Sequence, residues 1–292
     1  MKIALFGKEF STDQLGYIRI LTETLENRGC KLLVWKPFYD FLRDSITFSH
    51  DVDLFGEHTD LVGKADMLFS IGGDGTMLHS VRLVRNSGIP IAGINLGRMG
   101  FLSSIPRSEI IDAVDDILQN RFRIVKRTLI SLLSPKNLFD DFSFAFNELS
   151  INKKENSSLV VVHVWVNEQQ LHSYWADGLI VATPTGSTAY SLSCGGPIIT
   201  PDSSNFVITP IAPHNLSVRP VVIPDSSIIR IRVDSRDQLA LVSLDSQTAI
   251  ITPDIELVVG KADYEINLVQ RLNENFFSTL RAKLNWGSDI RN

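Results

Sequence analysis

The run Gly72-Gly73-Asp74-Gly75-Thr76 sets one carboxylate inside a glycine turn, between an apolar stretch, 65–71, that reads as a strand and a stretch, 77–85, that reads as a helix. Glycines lack a Cβ and let a ligand approach the main chain, while a helix N-terminus offers free N–H groups to an anion. Strand, glycine turn and helix in that order predict a phosphate cradle. A carboxylate beside bound phosphate is repulsive unless it handles a proton or a metal ion, so Asp74 points to proton transfer or cation handling.

A second glycine signal, Gly93-Ile94-Asn95-Leu96-Gly97-Arg98-Met99-Gly100-Phe101-Leu102, again closes a strand and would supply another anion-facing turn, or an ordinary chain reversal. The densest signal is 177–197, DGLIVATPTGSTAYSLSCGGP, in which a buried strand runs into a hydroxyl-rich loop and a short helix carrying Tyr190. Such a loop presents donors and acceptors that suit sugar hydroxyls and a purine edge, and its bland alternative is a Ser/Thr-rich cap. Asn147-Glu148 follows the alternating run 142–146. Asn both donates and accepts and Glu accepts from paired hydroxyls, so the pair could close a polar pocket or end a solvated strand. Six histidines show no metal-binding spacing, so no built-in metal site is expected. No G-x-x-x-x-G-K-[ST], G-x-G-x-x-G or H-R-D run occurs, which excludes P-loop enzymes, the usual dinucleotide oxidoreductases and protein kinases.

These loops need a frame, and the hydrophobic periods supply two. From residue 1 to 122 short apolar runs alternate with helical stretches, such as Leu15, Ile18, Leu21 and Leu25, which predicts an α/β domain with a mostly parallel sheet. Ligands of such sheets bind beyond the carboxyl ends of the strands, where Gly7, Gly72–Gly75 and Asn95–Gly97 would lie. The segment 36–64 is less regular and carries no functional assignment. From 123 to 270 the period falls to two, as in Val160, Val162, Val164 and Val166 or Ile229, Ile231 and Val233, which predicts a β-rich, mostly antiparallel domain. The tail, 271–292, returns to helical spacing at Phe276, Phe277, Leu280 and Leu284 and is expected to pack back on the first domain. Among 292 residues 44% are hydrophobic, enough for a sizeable core, and the net charge of −5 argues against nucleic acid or an anionic membrane as partner. No stretch approaches a membrane span, the N-terminal apolar run is short for a signal peptide, and two distant cysteines suit a reducing cytoplasm.

The residues resemble the NAD kinase family. Gly72–Thr76 is similar to its GGDG signature, Gly93–Leu102 to its second glycine motif, Asn147-Glu148 to its NE pair, and 177–197 to its long TPTGSTAY segment, with similarity continuing through 209–220. The resemblance implies transfer of the γ-phosphoryl group of ATP, or of inorganic polyphosphate in some members, to the 2′-hydroxyl of the adenosine ribose of NAD. It implies Asp74 as general base, with Gly72, Gly73, Gly97 and Phe101 in the phosphate-facing loops. Gly75, His79, Asn147, Glu148, Asp177, Thr188, Ala189, Tyr190, Ser191, Leu192, Ser193, Ala212 and Gln247 are the nucleotide-binding residues it implies. Mg2+ or another divalent cation would arrive with the donor, and a homodimer or homotetramer is expected. Trp175-Ala176 before Asp177, Cys194, and Asp245-Ser246-Gln247 depart from the commonest family pattern. A lipid kinase of the diacylglycerol or sphingosine type, which shares GGDGT, and a catalytically inactive nucleotide sensor are the competing readings.

Overall fold

In a computed structural model, which describes residues 1–97, 100–139, 142–154, 159–236 and 238–285, the chain forms two compact units, 1–126 with 266–292 and 127–265. The sequence boundaries at 122 and 270 fall a few residues from these because strands β7 (Phe122–Ser134) and β18 (Leu257–Arg271) both run through the division without a break in pattern.

The first unit carries β1 (Lys2–Gly7), α1 (Thr12–Asn27), β2 (Lys31–Trp35), α2 (Lys36–Leu42), β3 (Asp53–Phe55), α3 (His58–Leu61), β4 (Met67–Ile71), α4 (Asp74–Val84), β5 (Ile91–Asn95), β6 (Ile105–Pro106) and α5 (Ile110–Leu118). Its sheet runs β5-β4-β1-β2-β3, every pair parallel, with β6 and the end of β18 also beside β5. Register sets Gly7 opposite Ile71 and Ile71 opposite Ile94, so the turns after β1, β4 and β5 leave from one level of the sheet's carboxyl edge. Helix α1 starts at a capping box of Ser11 and Gln14 and buries Ile18, Leu21 and Leu25 to 1% exposure or less. Each such side chain contributes about 1.5–3 kcal/mol of burial.

The irregular segment 36–64 holds two helices and an edge strand that periodicity did not disclose. Pro37 fits the first turn of α2, where its missing N–H costs nothing, and β3 has only three residues. The C-terminal helix α7 (Phe276–Leu284), capped by Asn275, belongs to this unit. Only part of its expected stripe is buried: Leu280 is 3% exposed while Phe277 and Leu284 stay exposed. Arg271, itself buried, ties the returning chain to Glu109 and Asp116.

The second unit adds β8 (Phe144–Ala145), β9 (Glu148–Lys153), β10 (Val160–Val166), β11 (Gln169–Ala176), β12 (Gly178–Ala182), α6 (Tyr190–Ser193), β13 (Asn205–Ile211), β14 (Val221–Pro224), β15 (Ile229–Asp234), β16 (Ala240–Leu244) and β17 (Gln247–Ile251). Six of these form an antiparallel sheet in the order β14-β13-β12-β9-β16-β17, and β11, β10, β15 and β18 pair antiparallel in turn. The period of two is explained by one core: Val160, Val162, Val164, Ile229, Ile231 and Val233 all point into it, while Arg230 and Arg232 face out to Glu168 and Glu256.

Candidate active site

Helix α4 begins at Asp74 itself, earlier than the expected start at Met77, with Gly73 as N-cap, because a carboxylate in the first turn is favoured by the free N–H groups there. Its side chain then reaches the second glycine motif. Phe101 N–H donates to Oδ2 at 2.8 Å, and Leu102 and Ser103 N–H donate to Oδ1 at 3.1 and 3.2 Å. The loop can come this close because residue 100 is glycine: a Cβ there would stand 1.8 Å from Asp74 Oδ1. Asp74 is thus a clamp on the second glycine loop, a role that local sequence does not announce. Three N–H donors leave Oδ2 with acceptor capacity for one more hydrogen bond.

Gly72 takes a φ of +141°, and a Cβ on Gly73 or Gly75 would meet nothing within 4 Å, so space stands open beside the turn. Gly97 is exposed and donates its N–H to Asn95 Oδ1 at 2.8 Å; Arg98 and Met99 lie outside the described residues. Phe101 carries the Lys283 ammonium 5.8 Å from its ring centre. His79 lies on α4, where burial, then Lys8, then Arg82 push its pKa down.

In the second unit Asp245 repeats the clamp. It accepts from the N–H groups of Phe146, Asn147 and Glu148 at 2.7, 2.9 and 3.1 Å. Thr183 closes the other side, its hydroxyl donating to Phe146 O and its N–H to Asn147 O. Gly186 passes so near that a Cβ would lie 2.1 Å from Asn147 O. The Asn147-Glu148 backbone is therefore fixed on three sides. The Glu148 carboxyl receives the Tyr190 N–H, yet its Oε2 is buried with no partner. Burial and the neighbouring Asp245 carboxylate push this group up to about 8, so it is protonated at neutral pH and has an O–H to donate.

The hydroxyl-rich loop is used differently from the sequence expectation. Thr183, Ser187, Thr188 and Ser191 bond to Phe146 O, Pro184 O, Thr185 O and Thr209 Oγ1, so most of its hydroxyls build the loop and do not face a ligand. The Ser191 side chain is fully buried. The chain stretch 188–193 still presents Tyr190 and Ser193 at the surface, with Thr188, Ala189 and Leu192 half-buried. Tyr190 approaches Asn152, and Asp177 forms an ion pair with Lys153 at 2.7 Å. Asn152 and Lys153 were not singled out in the sequence; they follow Asn147-Glu148 along β9, and only the β9–β12 register brings them to Asp177. Ala212 sits exposed with a φ of +43°, and Gln247 turns its amide to Phe142 O at 3.4 Å.

Models for the N-terminal and C-terminal domains of ATP-NAD kinases match residues 3–122 and 146–271. An NAD kinase of Cytophaga hutchinsonii is 45% identical across the full length of both chains, and one of Bacteroides fragilis 41% identical, again across both. A solved yeast NADH kinase complexed with NADH superimposes with a TM-score of 0.86 at 26% identity, covering 100% of this chain and 89% of that one. An Archaeoglobus fulgidus NAD kinase in complex with ATP shares the fold, with a TM-score of 0.74 at 24% identity over 98% and 99% of the two chains. Fold and site thus define a two-domain nucleotide kinase with its carboxylate at a glycine turn. The chain belongs to the ATP-NAD kinase family. The lipid-kinase and sensor readings find no support in these comparisons.

Proposed function

We infer that the protein is an NAD kinase that moves the γ-phosphoryl group of ATP, or of another condensed phosphate, to the 2′-hydroxyl of the adenosine ribose of NAD, giving NADP. The observation that carries this is the Asp74 carboxylate, fixed by three N–H groups with one acceptor position left, in a chain related to NAD kinases along its whole length. A ribose hydroxyl is a weak nucleophile. A positioned carboxylate that takes its proton contributes roughly 10²–10⁴-fold, and alignment of the two substrates supplies much of the rest. The open faces of Gly73 and Gly75 and the start of α4 receive phosphate. The amide of Asn147, the neutral Glu148 carboxyl, Asp177 and Tyr190 hold the nucleoside of NAD.

Among the described residues no group of three or more His, Cys, Asp or Glu side chains is placed to hold a metal ion, and Asp74 already accepts three N–H bonds. Mg2+ or another divalent cation belongs to the donor's phosphates in this reading, as part of the substrate. Free Cys30 and Cys194 support a reducing cytoplasm, and no described helix is long and apolar enough to cross a membrane. A homodimer or homotetramer is part of the same proposal. The purified protein incubated with NAD, ATP and Mg2+ should form NADP, read by an NADP-specific dehydrogenase; NAD binding without product would leave a sensor, and no NAD binding would remove the reading.

A further inference from the structure

Beside the second glycine loop the first unit encloses a cavity of about 330 Å3, lined by Tyr17, Asn95, Gly97, Ser104, Arg107 and Ser108 among others. Among the described lining residues the one cationic side chain, Arg107, is exposed and stacks over the Tyr17 ring at 4.9 Å from the centre. Nearby arginines are committed to carboxylates: Arg28 to Asp115, Arg121 to Asp116, and Arg271 to Glu109 and Asp116. Among the described residues Arg107 has no ion pair, and none of those lining the cavity is a carboxylate. Stacking on an aromatic face holds a guanidinium in place while leaving its N–H fork free, which suits a phosphate oxygen pair. Glu274 touches the wall through Ser104, and burial pushes its carboxyl up from the ordinary value.

The loop that lines this cavity is the loop that Asp74 clamps. Ser103 donates its N–H to Asp74 Oδ1 at 3.2 Å, and Ser104, the next residue, lines the cavity. Consecutive Cα atoms are about 3.8 Å apart, so the wall residue Ser104 directly follows a residue whose N–H the carboxylate holds. Lys283, over Phe101, adds a second positive charge to the same loop.

We propose that this cavity receives the distal part of the donor's condensed-phosphate chain, with Arg107 as its cationic contact and Tyr17 as the platform that orients it. The proposal rests on the NAD kinase reading for its role but not for its binding chemistry. Inorganic tripolyphosphate titrated by calorimetry into the wild-type protein should bind, and Arg107→Ala should weaken it about tenfold or more. In initial rates with ATP and, separately, with inorganic polyphosphate, the KM of whichever donor yields NADP should rise by a similar factor, with the KM for NAD unchanged. Arg107→Lys keeps the charge but loses the fork and should restore binding only in part. Equal tripolyphosphate affinity in wild type and Arg107→Ala would overturn the proposal, as would a loss shared equally by NAD. NADP formation by the wild type with an unaltered donor KM in Arg107→Ala overturns this inference alone. Tripolyphosphate binding through Arg107 without NADP formation sustains it while removing the kinase reading.

Discussion

Asp74→Asn preserves side-chain volume but puts an NH2 group where an oxygen stood. With the amide oxygen in the Oδ1 position, Leu102 and Ser103 keep an acceptor, and the new NH2 faces Phe101 N–H across 2.8 Å, donor against donor. Turned over, it faces two donors instead. One or two hydrogen bonds to a charged group are therefore lost, each worth about 1.5–3 kcal/mol, and the survivors become neutral and weaker. A total of about 2–4 kcal/mol follows, which in a protein of this size lowers Tm by roughly 3–7 °C. The same change removes the proposed proton acceptor and should cut kcat by about 10²–10⁴, while NAD binding, which the proposal assigns to the second unit, should stay near normal. Scanning calorimetry, initial rates and NAD titration on one preparation read all three. Unaltered Tm together with near-normal kcat would refute both the clamp and the base; unaltered Tm with lost turnover would refute the clamp alone.

Gly100→Ala should resemble Asp74→Asn without touching the carboxylate, since its Cβ would stand 1.8 Å from Oδ1. A fall in both Tm and kcat is expected, and full activity would show that the loop yields freely. Glu148 has a pKa raised from 4.5 to about 8, so between those values the unfolded chain binds fewer protons than the folded one. Wild-type stability should fall as pH rises through that window, by up to about 1.4 kcal/mol per unit, and Glu148→Gln should flatten that slope in denaturant titrations at stepped pH. Affinity for NAD should likewise drop above about pH 8 in the wild type, as the donating O–H is lost, and not in Glu148→Gln; parallel pH profiles would discard the neutral-donor role.

The two periods in the sequence located both units, because a parallel sheet under helices and an antiparallel β core leave different apolar spacings. Segment 36–64 hid α2, β3 and α3 because a three-residue edge strand and a four-residue helix are too short to show a period. Motif residues were legible as types but not as partners. Asp74 bonds to residues 27 to 29 positions away, and Asp245 to residues 97 to 99 positions away, distances over which no local pattern reports. In the Ser/Thr-rich loop several hydroxyls bond to carbonyls within 183–199 and to Phe146 and Thr209, partners that residue types alone do not disclose. Arg107 left no motif, since its meaning depends on Tyr17 beside it and on the absence of a carboxylate in the cavity.

The most direct measurement is the position of the new phosphate. NMR of the product of NAD, ATP and Mg2+ with this protein should show the phosphorus coupled to the 2′ proton of the adenosine ribose and nowhere else. A phosphate on any other hydroxyl, or unmodified NAD after exhaustive incubation, would contradict the proposed transfer to that hydroxyl.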